Sequence, residues 1–164
     1  MLKFIGLAMI FLFFILLSLS AVGGINDEYR KTVIMCDMLF DIRSYIGFES
    51  MKLSEIICEL SKNESYLCFD FLGSFDNMSD IKKSLLDRLN TSPPFKTNEY
   101  NDRIIRLFRL IGESDRQSQT ELVSGVLQYF EGQACILREE IPVKTRLYRA
   151  LGVAAGGIAA LMLL

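Results

Sequence analysis

NEYNDRIIRLFRLIG, residues 98–112, sets Ile104, Ile105, Phe108 and Ile111 on one side of a 3.6-residue repeat and Arg103, Arg106 and Arg109 on the other. Gly112 closes the run, at the place where a helix end favours glycine because no Cβ opposes left-handed backbone. The next stretch, SDRQSQTELVSGVLQYFEGQACILREE (114–140), is a long amphipathic run with Leu122, Val126, Tyr129 and Phe130 apolar and Ser114 as the expected cap. Pro142 then predicts a kink or joint, because the residue before a proline is biased away from the helix. Two amphipathic helices either side of a glycine turn set the class as all-α.

Upstream the same period recurs. NDEYRKTVIMCDMLFDIRSYIGF (26–48) carries Val33, Ile34, Leu39, Ile42, Ile46 and Phe48, with Asn26 as the expected cap, Asp27 and Glu28 in the first turn, and Gly47 at the end. KLSEIICELSK (52–62) puts Leu53, Ile56, Ile57 and Leu60 on one face, with Ser54 as cap. ESYLCFDFLGSF (64–75) is aromatic enough for a strand, but no partner strand is visible, so it is read as helix. Ser79 and Asp80 introduce IKKSLLDRL (81–89), with Ile81, Leu85, Leu86 and Leu89 at helical spacing, and NTSPP (90–94) ends it because paired prolines cannot continue a helix.

The ends differ from this middle. Residues 4–22 (FIGLAMIFLFFILLSLSAV) and 150–164 (ALGVAAGGIAALMLL) contain no charge, whereas residues 25–149 hold 17 of the 18 basic residues and all 20 acidic ones. As helix the first run is roughly 29 Å long, close to the hydrocarbon thickness of a bilayer. The second is roughly 22 Å and spans only if Leu147 and Tyr148 enter the interface while Arg146 and Arg149 snorkel. Lys3, with Ser18 and Ser20 before Ala21, is also compatible with a signal peptide, but the length of the run favours an uncleaved anchor. Arg30, Lys31, Lys144, Arg146 and Arg149 flank the middle, against Lys3 alone outside, which orients the middle to the cytoplasmic side. The expected organisation is an N-terminal transmembrane helix (1–24), a helical cytoplasmic domain (25–146) and a C-terminal transmembrane helix (147–164).

Several chemistries have no residues to run on. The chain has no histidine, which removes the commonest general base and the usual partner of a serine or cysteine nucleophile. There is no phosphate-cradling GxxxxGK[ST] motif, and the slightly acidic middle predicts no nucleic-acid surface. Cys36, Cys58, Cys68 and Cys135 lie at wide spacing without CxxC, which predicts neither zinc nor any other metal. Cys58 and Cys68 sit in apolar settings and read as core thiols. Glu139 and Glu140 are adjacent, so on a helix they point to different faces and suit solvation better than acid–base work. No catalytic, cofactor-binding or metal residues are assigned. Gly152 and Gly156 form GxxxG, which permits close helix approach in lipid but also occurs as plain filler.

Two ordered landmarks carry a resemblance. LFRLIGESDRQSQ (107–119) looks like the conserved stretch of the stage III sporulation protein AB family, through Leu110, Gly112, Asp115 and Gln119. KTRLYRALGVAAGG (144–157) is similar to that family's basic lead into a glycine-rich terminal span, through Lys144, Tyr148, Arg149, Leu151, Gly152 and Gly157. The likeness is weak over residues 30–95, where FESMKLSEII lacks the proline expected ahead of the leucine. The resemblance implies a non-catalytic membrane scaffold of the channel or secretion-like complex joining mother cell and forespore in endospore formers. It implies a soluble helical bundle similar to the cytoplasmic domains of type II secretion and type IV pilus platform proteins. Its implied partners are the stage III sporulation AA ATPase and the membrane proteins AC, AD and AE, with no cofactor and no small-molecule substrate. A physical role for the matched residues follows as a hypothesis: Gly112 turns the chain, Asp115 suits the dipole of the next helix, and Gln119 bonds Asp115 or the loop before it.

The alternative is a secreted, lipid-anchored surface protein with its cysteines paired as disulfides and glycosylation sites at Asn63, Asn77 and Asn90. Lys144, Arg146 and Arg149 crowd the last span and leave no polar spacer for such an anchor.

Overall fold

A computed structural model describes residues 2–49, 51–73 and 80–163, and among them every regular element is helical. In order these are α1 (Leu2–Ser44), a π-helical turn (Tyr45–Glu49), α2 (Leu53–Lys62), two 3-10 turns (Glu64–Cys68 and Asp70–Leu72), α3 (Ile81–Thr91), α4 (Asn98–Leu110) and α5 (Arg116–Leu163). The chain divides into two compact units, residues 1–29 with 135–164 and residues 30–134.

The unit of residues 30–134 is built around a single apolar core. From α1 it takes Met35, Met38, Leu39 and Ile42, all fully buried, followed by Ile46 in the π-helical turn. Val33 and Ile34, expected inside, are half-buried, and Phe48 is 87 % exposed because the π-turn carries it off the buried face. α2 contributes Ile56, Ile57 and Leu60, α3 contributes Ile81, Leu85 and Leu89, and α4 contributes Ile104, Leu107 and Phe108. From α5 come Val123, Leu127 and Phe130; the expected Leu122, Val126 and Tyr129 flank that stripe, half-buried. Burying a side chain of this size stabilises by about 1.5–3 kcal/mol, so the helices are held by the core rather than by propensity.

Aromatic rings join the elements. Phe69 stacks on Phe71 at 5.5 Å, Phe71 meets Phe108 edge-on at 5.9 Å, and Phe95 lies 5.6 Å from Phe130 and 5.4 Å from Tyr100. The aromatic stretch at 64–75 is helical as expected but of the tighter 3-10 kind, in two short turns that let Tyr66, Phe69, Phe71 and Leu72 all point inward. Tyr66 donates its hydroxyl to Asp41 of α1 at 2.6 Å, giving the polar end of a buried ring a partner. Burial and that carboxylate push the Tyr66 phenol up. The proline loop after α3 is pinned by buried Asn101, whose side chain accepts from the Phe95 N–H at 3.1 Å and donates to the Phe95 carbonyl at 2.8 Å. Lys31 donates to the Pro94 carbonyl at 3.2 Å.

Helix starts differ from expectation at three places. Asn26 caps nothing: α1 runs straight through it, since no proline lies between the apolar run and Arg30 and two glycines are too weak a break. α2 begins one residue after Lys52, whose N–H donates to the Glu55 carboxylate at 2.9 Å, so Ser54 lies inside the helix. Asp115, not Ser114, caps α5. Pro142 lies within α5 without ending it.

In the unit of residues 1–29 and 135–164, Met9, Leu12, Phe13 and Leu16 form one exposed stripe on α1, and Val143, Leu147, Leu151 and Ile158 form another on α5. Among the described residues no helix is long and apolar enough to cross a membrane. The expected spans, residues 4–22 and 150–164, fall largely on side chains outside the described residues.

Candidate functional site

α4 ends at Leu110, and the chain reverses through four residues whose angles are those of a type II turn. Ile111 has φ −60° and ψ 132°, Gly112 has φ +87°, and the Glu113 N–H donates to the Leu110 carbonyl at 3.2 Å. Such a turn needs positive φ at its third position, and glycine adopts it without strain. The turn drives Ile111 into the core, where it is 1 % exposed.

Asp115, the second residue past this turn, caps α5 with both carboxylate oxygens. It accepts from the Ser118 N–H at 3.1 Å and from the Ser118 hydroxyl at 2.6 Å. These bonds, the hydroxyl's foremost, hold the Asp115 carboxyl below the usual carboxylate range. Gln119, one turn into α5, donates its side-chain amide back to the Ser114 carbonyl at 2.5 Å, and its N–H donates to the Asp115 carbonyl at 3.0 Å. The loop is therefore satisfied from the α5 side.

A second clamp comes from α3. Lys82 donates to the Ile111 carbonyl at 3.2 Å and pairs with the Glu113 carboxylate at 2.9 Å. Neither Lys82 nor Glu113 is marked by helical periodicity, and they lie far apart in sequence, so nothing local signals them. Asp115 as the cap could have been found, since aspartate is a preferred N-cap that accepts from the backbone N–H three residues on. Beside the corner lies a groove of about 470 Å³ lined by Lys52, Leu53, Ile81, Lys82, Gly112 and Gln119 among others. Leu110, Gly112, Asp115 and Gln119 thus come together at one place, with Leu110 half-buried and Asp115 exposed.

The arginine row of α4 is not uniform. Arg103 lies 3.7 Å over the Tyr129 ring and pairs with Glu99 at 3.0 Å, while Arg106 and Arg109 point to solvent. Arg103 and Arg106 border an open groove of about 560 Å³ between α4 and α5, floored by Leu107, Leu122 and Val126.

The C-terminal landmark occupies the other unit. Lys144 pairs with Glu140 at 2.5 Å, one turn earlier, and that carboxylate raises its pKa. Tyr148 and Arg149 are exposed, Gly152 is buried, and Gly157 has nothing within 4 Å of where a Cβ would stand. Gly156 lies outside the residues whose surroundings are described. The four cysteines are free thiols, and Cys36 is pushed up to about 11 by burial, with Glu131 and Asp37 adding to it. Among the described residues no three acidic or cysteine side chains gather as metal ligands.

A small all-helical protein organised around one capped, glycine-turned corner is the class this geometry defines. The family model described as stage III sporulation protein AB matches residues 3–164, and the chain belongs to that family. Membership implies a role in sporulation. Comparison with curated proteins and with solved structures returns no match.

Proposed function

We propose that the protein is a non-catalytic membrane scaffold of the mother cell–forespore secretion-like complex. The observation that carries this reading is the match to the sporulation family over nearly the whole chain, coupled to a corner built from structural hydrogen bonds. The uncharged runs 4–22 and 150–164 serve as membrane anchors, and the exposed stripe Met9, Leu12, Phe13 and Leu16 suits lipid. Basic residues beside both runs keep the helical unit on the cytoplasmic side, where the AA ATPase is its partner, with AC, AD and AE alongside in the membrane of the mother cell. The helical unit then plays the part of a type II secretion or type IV pilus platform domain. Co-purification of the full chain with the AA ATPase from detergent-solubilised membranes of sporulating cells tests the proposal. Recovery of the ATPase with the membrane fraction is expected; a protein found in the soluble fraction without the ATPase overturns it.

A further inference from the structure

Between Cys135 and the last apolar run, α5 presents an apolar seam that the chain leaves uncovered. Ile136 is 49 % exposed, Val143 65 % and Leu147 55 %. Their spacings of seven and four place them on one side of the helix. The same turns carry Arg138, Glu139, Glu140, Lys144 and Arg146. So many charges exclude the acyl interior, so lipid does not cover this part of the seam.

We propose that this seam pairs, in parallel, with the same seam of a second copy of the chain. Such a pair needs only α5 and none of the partners proposed above. With Ile136 and Val143 at the d positions and Leu147 at a, Glu139 falls at g and Lys144 at e. In a parallel pair Glu139 of one chain therefore faces Lys144 of the other, an opposite-charge contact made twice. In an antiparallel pair Glu139 meets Glu139 and Lys144 meets Lys144, which repels. Glu139 is exposed and, among the described residues, makes no bond or ion pair in its own chain.

Glu140 takes the remaining a position and in a parallel pair faces Glu140 of the second copy. A charge in a seam costs stability but restricts register and strand number. Its own-chain partner Lys144, at 2.5 Å, offsets that charge, and the ammonium has two further protons to donate. Pro142 falls at c, off the seam, so its ring does not block approach. Arg138 falls at f, on the back of the helix.

The test uses the full chain in native membranes, with the four native cysteines replaced by serine and single cysteines added. Copper-phenanthroline oxidation of Val143→Cys is expected to give a disulfide-linked dimer, and Arg138→Cys is expected to give none. On a Val143→Cys background, Glu139→Lys and Lys144→Glu are each expected to lower cross-linking severalfold. Co-expression of those two variants is expected to restore it, because both contacts then regain opposite charges. Equal cross-linking at 143 and 138, no dimer at 143, or charge variants that neither weaken nor rescue the dimer overturns the proposal.

Discussion

Lys82 reaches from α3 to the backbone carbonyl of Ile111, 3.2 Å away and 29 residues on in the sequence. The ammonium thereby satisfies a carbonyl that the type II turn leaves outside any helix ladder. This contact ties the corner to the rest of the helical unit, and its parts can be separated by mutation. Lys82→Met keeps most of the aliphatic stem and removes both bonds, so it is expected to lower unfolding free energy by about 1 kcal/mol, most of it from the carbonyl. A double-mutant cycle with Glu113→Ala is expected to give a coupling below about 0.5 kcal/mol, since that ion pair is largely solvated. Urea unfolding of the four proteins measures both values.

Gly112 has open space around its missing Cβ but sits at φ +87°. The strain of Gly112→Ala is therefore in the backbone rather than in a clash, and is expected to cost about 1 kcal/mol. Gly112→Asn is expected to cost less, because asparagine tolerates left-handed backbone better. The same urea series decides between them; equal losses would point to a clash instead.

Asp115 gives a pH signature. Its folded pKa lies below the unfolded value, so its contribution is present above about pH 4 and is lost as pH falls through the folded value. Asp115→Ala is expected to lower the melting temperature at pH 7, with the gap to wild type closing at strongly acid pH. Asp115→Ser is expected to recover part of the loss as a neutral cap. If Asp115→Ala keeps full thermal stability and abolishes co-purification of the proposed ATPase partner, Asp115 is a contact residue and its structural role is refuted.

The thiols should rank by environment. Cys135 is exposed, whereas the Cys36 thiol is raised to about 11 by burial and two nearby carboxylates. At pH 8 an impermeant maleimide is expected to modify Cys135 first and Cys36 last in the detergent-solubilised native protein, followed by peptide mass analysis. Faster reaction at Cys36 would contradict the packing around α1.

Phe108 is fully buried and meets Phe71 edge-on. Phe108→Ala is expected to cost about 3–5 kcal/mol, enough to unfold a marginal domain, while Phe108→Leu is expected to fold with reduced stability. Circular dichroism melts of both distinguish loss of the core from loss of a surface contact.

The sequence makes the helices legible because apolar spacing is a local signal: α4 is read almost to the residue from Ile104, Phe108 and Gly112. Helix starts are less legible. Asn26, Ser54 and Ser114 each look like caps, but capping depends on which side chain meets a free N–H, and Asp115 and Glu55 meet them here. Gly112, Asp115 and Gln119 stand out through the family likeness, and their bonds run within a few residues. Lys82, Asn101 and Tyr66 do not stand out, because their partners Ile111, Phe95 and Asp41 are chosen by packing rather than by sequence spacing.

The proposed anchors and the proposed cytoplasmic placement of the helical unit stand or fall together on a topology measurement. Single reporter cysteines at Ser92, in the exposed loop after α3, and at the C-terminus, with native cysteines replaced, can be probed in whole cells with an impermeant thiol reagent. A shielded Ser92 reporter with a labelled C-terminus is the predicted result. A labelled Ser92 reporter would place the helical unit outside and contradict the scaffold reading.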